Sequence, residues 1–145
     1  MRRAVRAIVI HGDKLLIMHR NKFGKEYDTL PGGGVEPGES LGQALIRELS
    51  EETMVNIANQ RLLFIEHAGQ PYGDQYIFLC DYEGGEPALW PESDEAVINK
   101  LGKNLYVPMW VNLSDLHLKP FVSAALKQKI FNSLMRGWPT VPEEF

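Results

Sequence analysis

A glycine-rich turn that leads directly into an acidic helix constrains this chain more than any other feature. Residues 31–34 read Pro-Gly-Gly-Gly, and residues 37–39 read Pro-Gly-Glu. Ser40 is a favourable N-cap, and Gln43 three residues later completes a capping box, so a helix is predicted over residues 40–53. A glycine run allows a backbone to approach a ligand or metal closely and to adopt φ values that other residues avoid. The segment therefore predicts a binding turn followed by a well-capped helix.

Three carboxylates lie on one side of the predicted helix. At about 100° per residue, Glu48, Glu51 and Glu52 fall within an arc of about 100° at the border of the apolar face. Their mutual repulsion and the negative end of the helix dipole both disfavour this arrangement. A divalent cation with oxygen ligands would offset that cost. The alternative is a solvated acidic face, on which Arg47 and Glu51 form an ordinary surface pair.

Composition limits the classes of protein to which the chain can belong. Its 145 residues fit one domain, and its net charge of −4 argues against a general binder of nucleic acid or membrane surfaces. The single cysteine, Cys80, lies in an apolar run and is expected to be a small buried side chain. With no signal peptide and no transmembrane segment recognised, we expect a cytoplasmic protein, and a homodimer stays open.

Hydrophobic periodicity predicts a mixed α/β fold. Strands are expected over residues 4–10, 14–19, 61–67, 75–82 and 106–113, the last interrupted at Pro108, with helices over 40–53 and 121–135. Residues 23–28, 68–74 and 83–95 are expected to be loops. Strands on both sides of one helix, with a second helix at the end, predict a mixed β-sheet sandwiched between helices. One domain is expected over residues 1–136, followed by a loose tail over 137–145.

The acidic segment resembles the signature of the Nudix hydrolase family. The matching positions are Gly33, Glu39, Arg47, Glu48, Leu49, Glu51, Glu52 and Val55. Met54 departs from the pattern, because the family has glycine there. Glycine would end the helix in a left-handed conformation. Met54 therefore either extends the helix, with Asn56 taking the turn, or is mildly strained.

The resemblance implies a Nudix-like α/β/α sandwich and hydrolysis of a nucleoside diphosphate linked to another group. It further implies that Mg²⁺, for which Mn²⁺ can substitute, is held by Glu48, Glu51, Glu52 and the carbonyl of Gly33. Arg47 and Glu39 are expected to orient this cluster, so Glu51, Glu52, Arg47 and Glu39 form the expected catalytic set. The general base is either a helix glutamate or an acid of the 83–95 loop, where Glu92, Asp94 and Glu95 are candidates; these three could equally be a solvated loop.

Other positions carry weaker signals. Arg20, at the end of the second strand, is either a phosphate ligand or a surface arginine. Phe23, Tyr27 and Tyr72 lie in expected loops and either stack on a nucleobase or pack locally. His67 is interpreted as structural.

Two positions give conflicting indications of the substrate. Pro71 lies roughly where ADP-ribose-type members of the family carry a proline, and Tyr72 roughly where members acting on dinucleoside polyphosphates carry a tyrosine. ADP-ribose or a nucleotide sugar is slightly favoured, because the chain has no basic stretch suited to a longer polyphosphate. The alternatives are a pyrophosphohydrolase of dinucleoside polyphosphates or nucleoside triphosphates, and a non-catalytic nucleotide-binding module. The intact carboxylate cluster favours an enzyme.

Overall fold

A mixed β-sheet runs through the centre of the structure, a computed structural model that describes residues 2–145. Its strands are β1 (Arg3–His11), β2 (Lys14–Lys22), β3 (Lys25–Thr29), β4 (Gly32–Gly34), β5 (Ile57–His67), β6 (Asp74–Tyr82), β7 (Asn104–Asn112) and β8 (Glu143–Glu144). The helices are α1 (Leu41–Thr53), α2 (Asp94–Asn99) and α3 (Ala124–Arg136), with a 3-10 helix over Leu113–Leu118. Within residues 2–145 no helix is long and apolar enough to cross a membrane.

The strand order shows where the neighbouring strands β1 and β2 separate. Strands run in the order β3-β2-β1-β6-β5-β8, with β4 paired to β1 and β7 paired to β2. The β1–β6 and β5–β8 pairs are parallel, and the other pairs are antiparallel. Strands β1 and β2 pair only at their hairpin end, whereas the other end of β1 pairs with β4 over Ala4–Arg6. The two strands therefore diverge, and the glycine strand β4 lies against β1 beyond the point of divergence.

Two hydrophobic cores cover the two faces of the sheet. One packs Ala44, Leu45 and Leu49 of α1 against one set of β1 side chains, and the other packs α3 against Ile8 on the opposite face of β1. Alternate side chains of a strand point to opposite faces, so one strand can serve both cores. The predicted mixed sheet between helices is confirmed.

Several predicted boundaries were wrong because strand pairing overrides local composition. Residues 23–28 were expected to be a loop, but Lys25–Thr29 forms β3 and pairs with β2. The region 83–95 was expected to be irregular, but α2 begins at Asp94. Pro108 does not interrupt β7, which pairs only with β2 among the described residues; proline is tolerated in such an edge strand.

The C-terminal residues are packed, so the expected loose tail was also wrong. Glu143 and Glu144 form β8 beside β5, and the ring of Phe145 packs edge-on against Phe64 at 6.1 Å between centroids. The two ring nitrogens of His67 form hydrogen bonds with the side chains of Asp74 and Glu144: Nδ1 lies 2.8 Å from Asp74 Oδ1, and Nε2 lies 2.9 Å from Glu144 Oε1. These contacts link β5 to β6 and β8, which supports the structural interpretation of His67.

Candidate active site

Capping residues define both ends of helix α1. The Gln43 N–H donates to Ser40 Oγ at 3.1 Å, and the Ser40 N–H donates to Gln43 Oε1 at 2.9 Å, which forms the predicted capping box. The helix ends at Thr53, and Met54 takes the left-handed conformation with φ 56° and ψ 19°. The second alternative for Met54 is therefore correct: it adopts the glycine-type conformation and bears the strain.

The loop before α2 closes the C-terminal end of α1. The N–H groups of Ala88 and Trp90 donate to the carbonyls of Thr53 and Glu51, at 2.8 and 2.9 Å. These bonds satisfy carbonyls that have no partner inside the helix. They also fix the loop against the acidic side of α1.

Arg47 is the centre of the acidic cluster. Its guanidinium donates to both carboxylate oxygens of Glu39, at 2.7 and 2.8 Å, to Glu48 Oε1 at 2.9 Å and to the Gly34 carbonyl at 3.1 Å. Glu51 lies 3.6 Å away as a looser ion-pair partner. The hydrogen bonds from Arg47 lower the pKa of Glu39 to about 2, and the Glu39 bonds raise the pKa of Arg47. Arg47 thus ties α1 to β4 and to the turn that precedes the helix.

Glu48 reaches β4 only because residue 33 is glycine. A Cβ atom at position 33 would lie 2.6 Å from the carboxyl carbon of Glu48. The neighbouring Gly32 has φ 147°, and a Cβ there would collide with the Val5 carbonyl at 1.9 Å. Burial raises the pKa of Glu48, although Arg47 opposes that rise. The glycine strand is therefore a cradle for the Glu48 carboxylate.

Glu52 is the most deeply placed carboxylate of the cluster. It is 7% exposed, and its Oε2 accepts one hydrogen bond from the Gly32 N–H at 3.1 Å. Burial raises its pKa to about 8, opposed chiefly by the positive charge of Arg6. A carboxylate this buried with so few partners is a costly group that a cation would stabilise.

Arg6 is a site residue that the sequence analysis missed. Its guanidinium donates to Gln75 Oε1 at 3.0 Å and to the carbonyls of Leu30 and Gly32 at 3.3 and 3.2 Å. It stands between small apolar residues in β1, and that break in an apolar strand was the only signal. Its partners come from segments 24 to 69 residues away, so only the fold brings it to Glu52.

The three carboxylates offer the oxygen ligands that a divalent cation prefers, but they do not converge on one point. Among residues 2–145 no group of three or more His, Cys, Asp and Glu side chains is placed to hold an ion. Glu48 and Glu51 face Arg47, while Glu52 faces Gly32. All three nevertheless project from α1 next to a glycine strand, with hard oxygen donors that suit Mg²⁺. The residues fit a cation, provided that Glu48 and Glu51 reorient from Arg47.

The candidate loop acids are not equivalent. The charge of Glu95 raises the pKa of both Glu48 and Glu52, after burial as the main cause, so Glu95 lies close to the cluster. Glu92 and Asp94 are exposed, and neither is among the main causes of the raised pKa of Glu48 or Glu52. Glu95 lies in the first turn of α2 rather than in a loop.

Arg20 packs against two tyrosines on the α1 side of the sheet. Its guanidinium carbon lies 3.6 Å from the ring centroid of Tyr106 and 5.7 Å from that of Tyr27. It also donates to the side chain of Asn104 and to the Leu105 carbonyl. Tyr27 is therefore packed locally, and Tyr106 is a neighbour that the sequence analysis did not identify.

The remaining predicted residues lie outside this cluster. Tyr72 is 60% exposed and contacts none of the carboxylates; its carbonyl accepts from Gln75, which binds Arg6. Phe23 is 71% exposed at the turn between β2 and β3. Cys80 is buried, and burial raises its pKa to about 12, as expected of a small buried side chain.

Comparisons with known sequences identify the family. The chain matches the NUDIX domain over residues 1–131. It is 33% identical over 75 residues to a protein named NAD-capped RNA hydrolase NudC from Pectobacterium carotovorum, a match that covers 52% of this chain and 29% of that protein. A protein of the same name from Salmonella paratyphi C is 29% identical over 108 residues, which covers 74% of this chain and 38% of that protein. The matches thus span about a third of the length of these curated relatives.

Solved structures show the same fold. A NUDIX hydrolase from Nitrosomonas europaea aligns with a TM-score of 0.72 at 16% identity, over 99% of this chain and 78% of that chain. A structure described as an ADP-ribose pyrophosphatase from Streptococcus suis 89-1591 aligns with a TM-score of 0.69 at 19% identity, over 99% of this chain and 98% of that chain. Since the family match runs through the glycine strand and the whole of α1, this chain belongs to the Nudix hydrolase family.

Proposed function

We propose that this chain hydrolyses the pyrophosphate bond of a nucleoside diphosphate linked to another group, with Mg²⁺ as the cofactor and Mn²⁺ as a substitute. The observation that carries the proposal is the carboxylate cluster of α1 against β4, in which Glu52 is almost fully buried with a pKa of about 8. Such a cluster is costly unless a cation neutralises it. A pyrophosphate is also anionic, so the same cation would neutralise both the carboxylates and the substrate.

The cluster suggests a role for each of its members. We assign Glu48, Glu51, Glu52 and the Gly33 carbonyl as the cation ligands. When bound, a divalent cation would neutralise phosphate oxygens and acidify a water molecule. Arg47, which is held by Glu39, would position the Gly34 carbonyl and the Glu48 carboxylate beside that site.

Hydrolysis requires a base and a phosphate ligand. The oxygen of water bonds to one phosphorus, the bond from that phosphorus to the bridging oxygen breaks, and a proton of the water passes to a base. Glu95 is our first candidate for the base, ahead of Glu92, because its charge acts on Glu48 and Glu52. Arg20 Nη1 has no protein acceptor among residues 2–145, so we assign it to a substrate phosphate.

The substrate class is ADP-ribose or a nucleotide sugar in this proposal. The names ADP-ribose pyrophosphatase and NAD-capped RNA hydrolase both point to a pyrophosphate between a nucleoside and another group. Tyr72, on an exposed loop that is linked to Arg6 through Gln75, is our candidate for stacking on the nucleobase. A cytoplasmic location and a homodimer stay predictions.

A substrate panel tests the proposal. The protein is incubated in millimolar Mg²⁺ with ADP-ribose, NAD⁺, ADP-glucose, diadenosine tetraphosphate or ATP, and the products are separated by chromatography. We expect two monophosphates from at least one of the first three compounds. Glu52→Gln should lower turnover by several orders of magnitude, the typical loss when charge stabilisation of a transition state is removed.

Glu86→Gln is the matched control, since it removes the same charge from an exposed loop position. It should retain parental turnover. Full turnover in excess chelator would refute the cation requirement, and parental turnover by Glu52→Gln would refute its role. No turnover of any compound would count against the proposed activity as a whole.

A further inference from the structure

Four lysines flank two turns that meet at an exposed phenylalanine at one end of the sheet. Lys22 and Lys25 flank the turn between β2 and β3, and Lys100 and Lys103 flank the turn between α2 and β7. The Phe23 N–H donates to the Lys103 carbonyl at 2.7 Å, which joins the two turns. All four lysines are exposed, and none forms an ion pair with another residue of the described chain. We call these five residues the lysine–phenylalanine patch.

The phenylalanine of this patch contributes little to either hydrophobic core. Phe23 has φ 52° and its side chain is 71% exposed, and the neighbouring Leu101 is 75% exposed. Beside Phe23 lies a shallow pocket of about 420 Å³, lined by Asn21, Phe23, Gly24, Gly102, Lys103 and Leu105. An open aromatic ring next to unpaired ammonium groups is the combination that binds single-stranded nucleic acid, because a base stacks on the ring while lysines contact the phosphates.

The patch continues from the candidate active site along two elements. Arg20 precedes Lys22 by two residues on β2, a separation of about 7 Å. The charge of Arg20 acts on Arg6, whose own charge acts on Glu52. The second element is α2, which starts beside the carboxylates with Glu95 and ends just before Lys100. A nucleic-acid chain that extends from the pyrophosphate past Arg20 would therefore reach the patch.

We propose that the lysine–phenylalanine patch binds a single-stranded nucleic acid that continues from the substrate's pyrophosphate. This inference rests on the proposed function, since the carboxylates define where the pyrophosphate sits. The expectation of no nucleic-acid partner relied on the net charge of −4. A net charge does not detect four lysines that come from two turns nearly 80 residues apart.

Binding of a short RNA tests the patch without any turnover. The probe is a ten-residue single-stranded oligoadenylate with a 5′-phosphate and a 3′-fluorophore, followed by fluorescence anisotropy in chelator at 50–200 mM salt. We expect the Lys22→Gln/Lys103→Gln protein to bind about tenfold or more weakly than the parent. The slope of log K against log salt should fall by about 1.4, because each lost contact with a single strand removes about 0.7. Phe23→Ser should weaken binding by about tenfold through lost stacking, with the slope unchanged.

The matched control is Lys14→Gln/Lys129→Gln, which makes the same change in net charge away from the patch. Lys14 lies at the opposite end of β2 from Lys22, about 26 Å away. This control should bind within about twofold of the parent. Equal binding by the parent, the control and the patch variant would overturn the proposal. Equal affinity for a fifteen-residue polyglutamate would also overturn it, because the surface would then be one for acidic peptides.

Turnover of ADP-ribose and NAD⁺ by the same proteins separates this inference from the proposed function. The patch variants should turn over these small substrates within about twofold of the parent. If the parent binds RNA through the patch but hydrolyses no pyrophosphate compound, the patch stands and the proposed function fails. If hydrolysis is observed without patch-dependent binding, the patch proposal fails alone.

Discussion

Replacing Glu52 with glutamine should stabilise the cation-free protein, by an amount that grows with pH. The folded-state pKa of Glu52 is about 8 instead of 4.5, because burial disfavours the charged form. Between pH 4.5 and pH 8 the folded protein therefore keeps a proton that the unfolded chain has released. Ionisation of Glu52 therefore has no effect on the free energy of unfolding below pH 4.5, and it lowers that free energy progressively as the pH rises towards 8.

The size of the effect follows from the difference in pKa. Each pKa unit corresponds to about 1.4 kcal/mol, so Glu52 lowers the free energy of unfolding by about 3 kcal/mol at pH 7 and by about 1 kcal/mol at pH 5. Glutamine has no charge to lose and still offers an oxygen to the Gly32 N–H. Its extra N–H₂ group needs partners, which costs roughly 1 kcal/mol at any pH. The advantage of the variant over the parent should therefore increase by about 2 kcal/mol between pH 5 and pH 7.

Urea unfolding in chelator at pH 5, 6 and 7 measures this difference. The control Glu86→Gln should differ from the parent by the same small amount at every pH, because that side chain is exposed. Millimolar Mg²⁺ should raise the stability of the parent at pH 7 and have much less effect on Glu52→Gln. A difference between parent and Glu52→Gln that does not change with pH would refute the argument from burial.

Three further substitutions test individual contacts. Met54→Gly should raise the free energy of unfolding by about 0.5–1 kcal/mol, because glycine suits φ 56° and the methionine is half-exposed; Met54→Ala, which keeps the backbone strain, should show no such gain on urea unfolding. Gly33→Ala should abolish the rise in melting temperature that we expect Mg²⁺ to cause in the parent, while changing the cation-free melting temperature little, since its Cβ displaces only the end of the Glu48 side chain. Arg47→Lys should lower the free energy of unfolding by about 1–2 kcal/mol, because an ammonium group cannot replace the fork of bonds to Glu48 and the Gly34 carbonyl; an unchanged urea midpoint would contradict the bridging role.

Short-range rules made the centre of the site predictable. The capping box at Ser40, the end of α1 near Thr53 and the arc of Glu48, Glu51 and Glu52 all depend on residues within one or two helical turns. Helical geometry links these positions directly, so the carboxylate cluster could be predicted without knowledge of the rest of the fold. The mixed sheet followed in the same way from runs of alternating side chains.

Long-range pairing decided the rest of the site, and local patterns do not encode it. Lys25–Thr29 looks like a polar loop, but it becomes a strand because β2 offers a partner edge. Arg6 meets Gln75 across 69 residues and Arg20 meets Asn104 across 84, so their roles appear only when the strands are assembled. The amino-acid sequence alone determined the acidic helix, its glycine turn and the family. Only the tertiary structure decided which charges surround Glu52, because burial and electrostatic neighbours depend on the packing of segments that are distant in the chain.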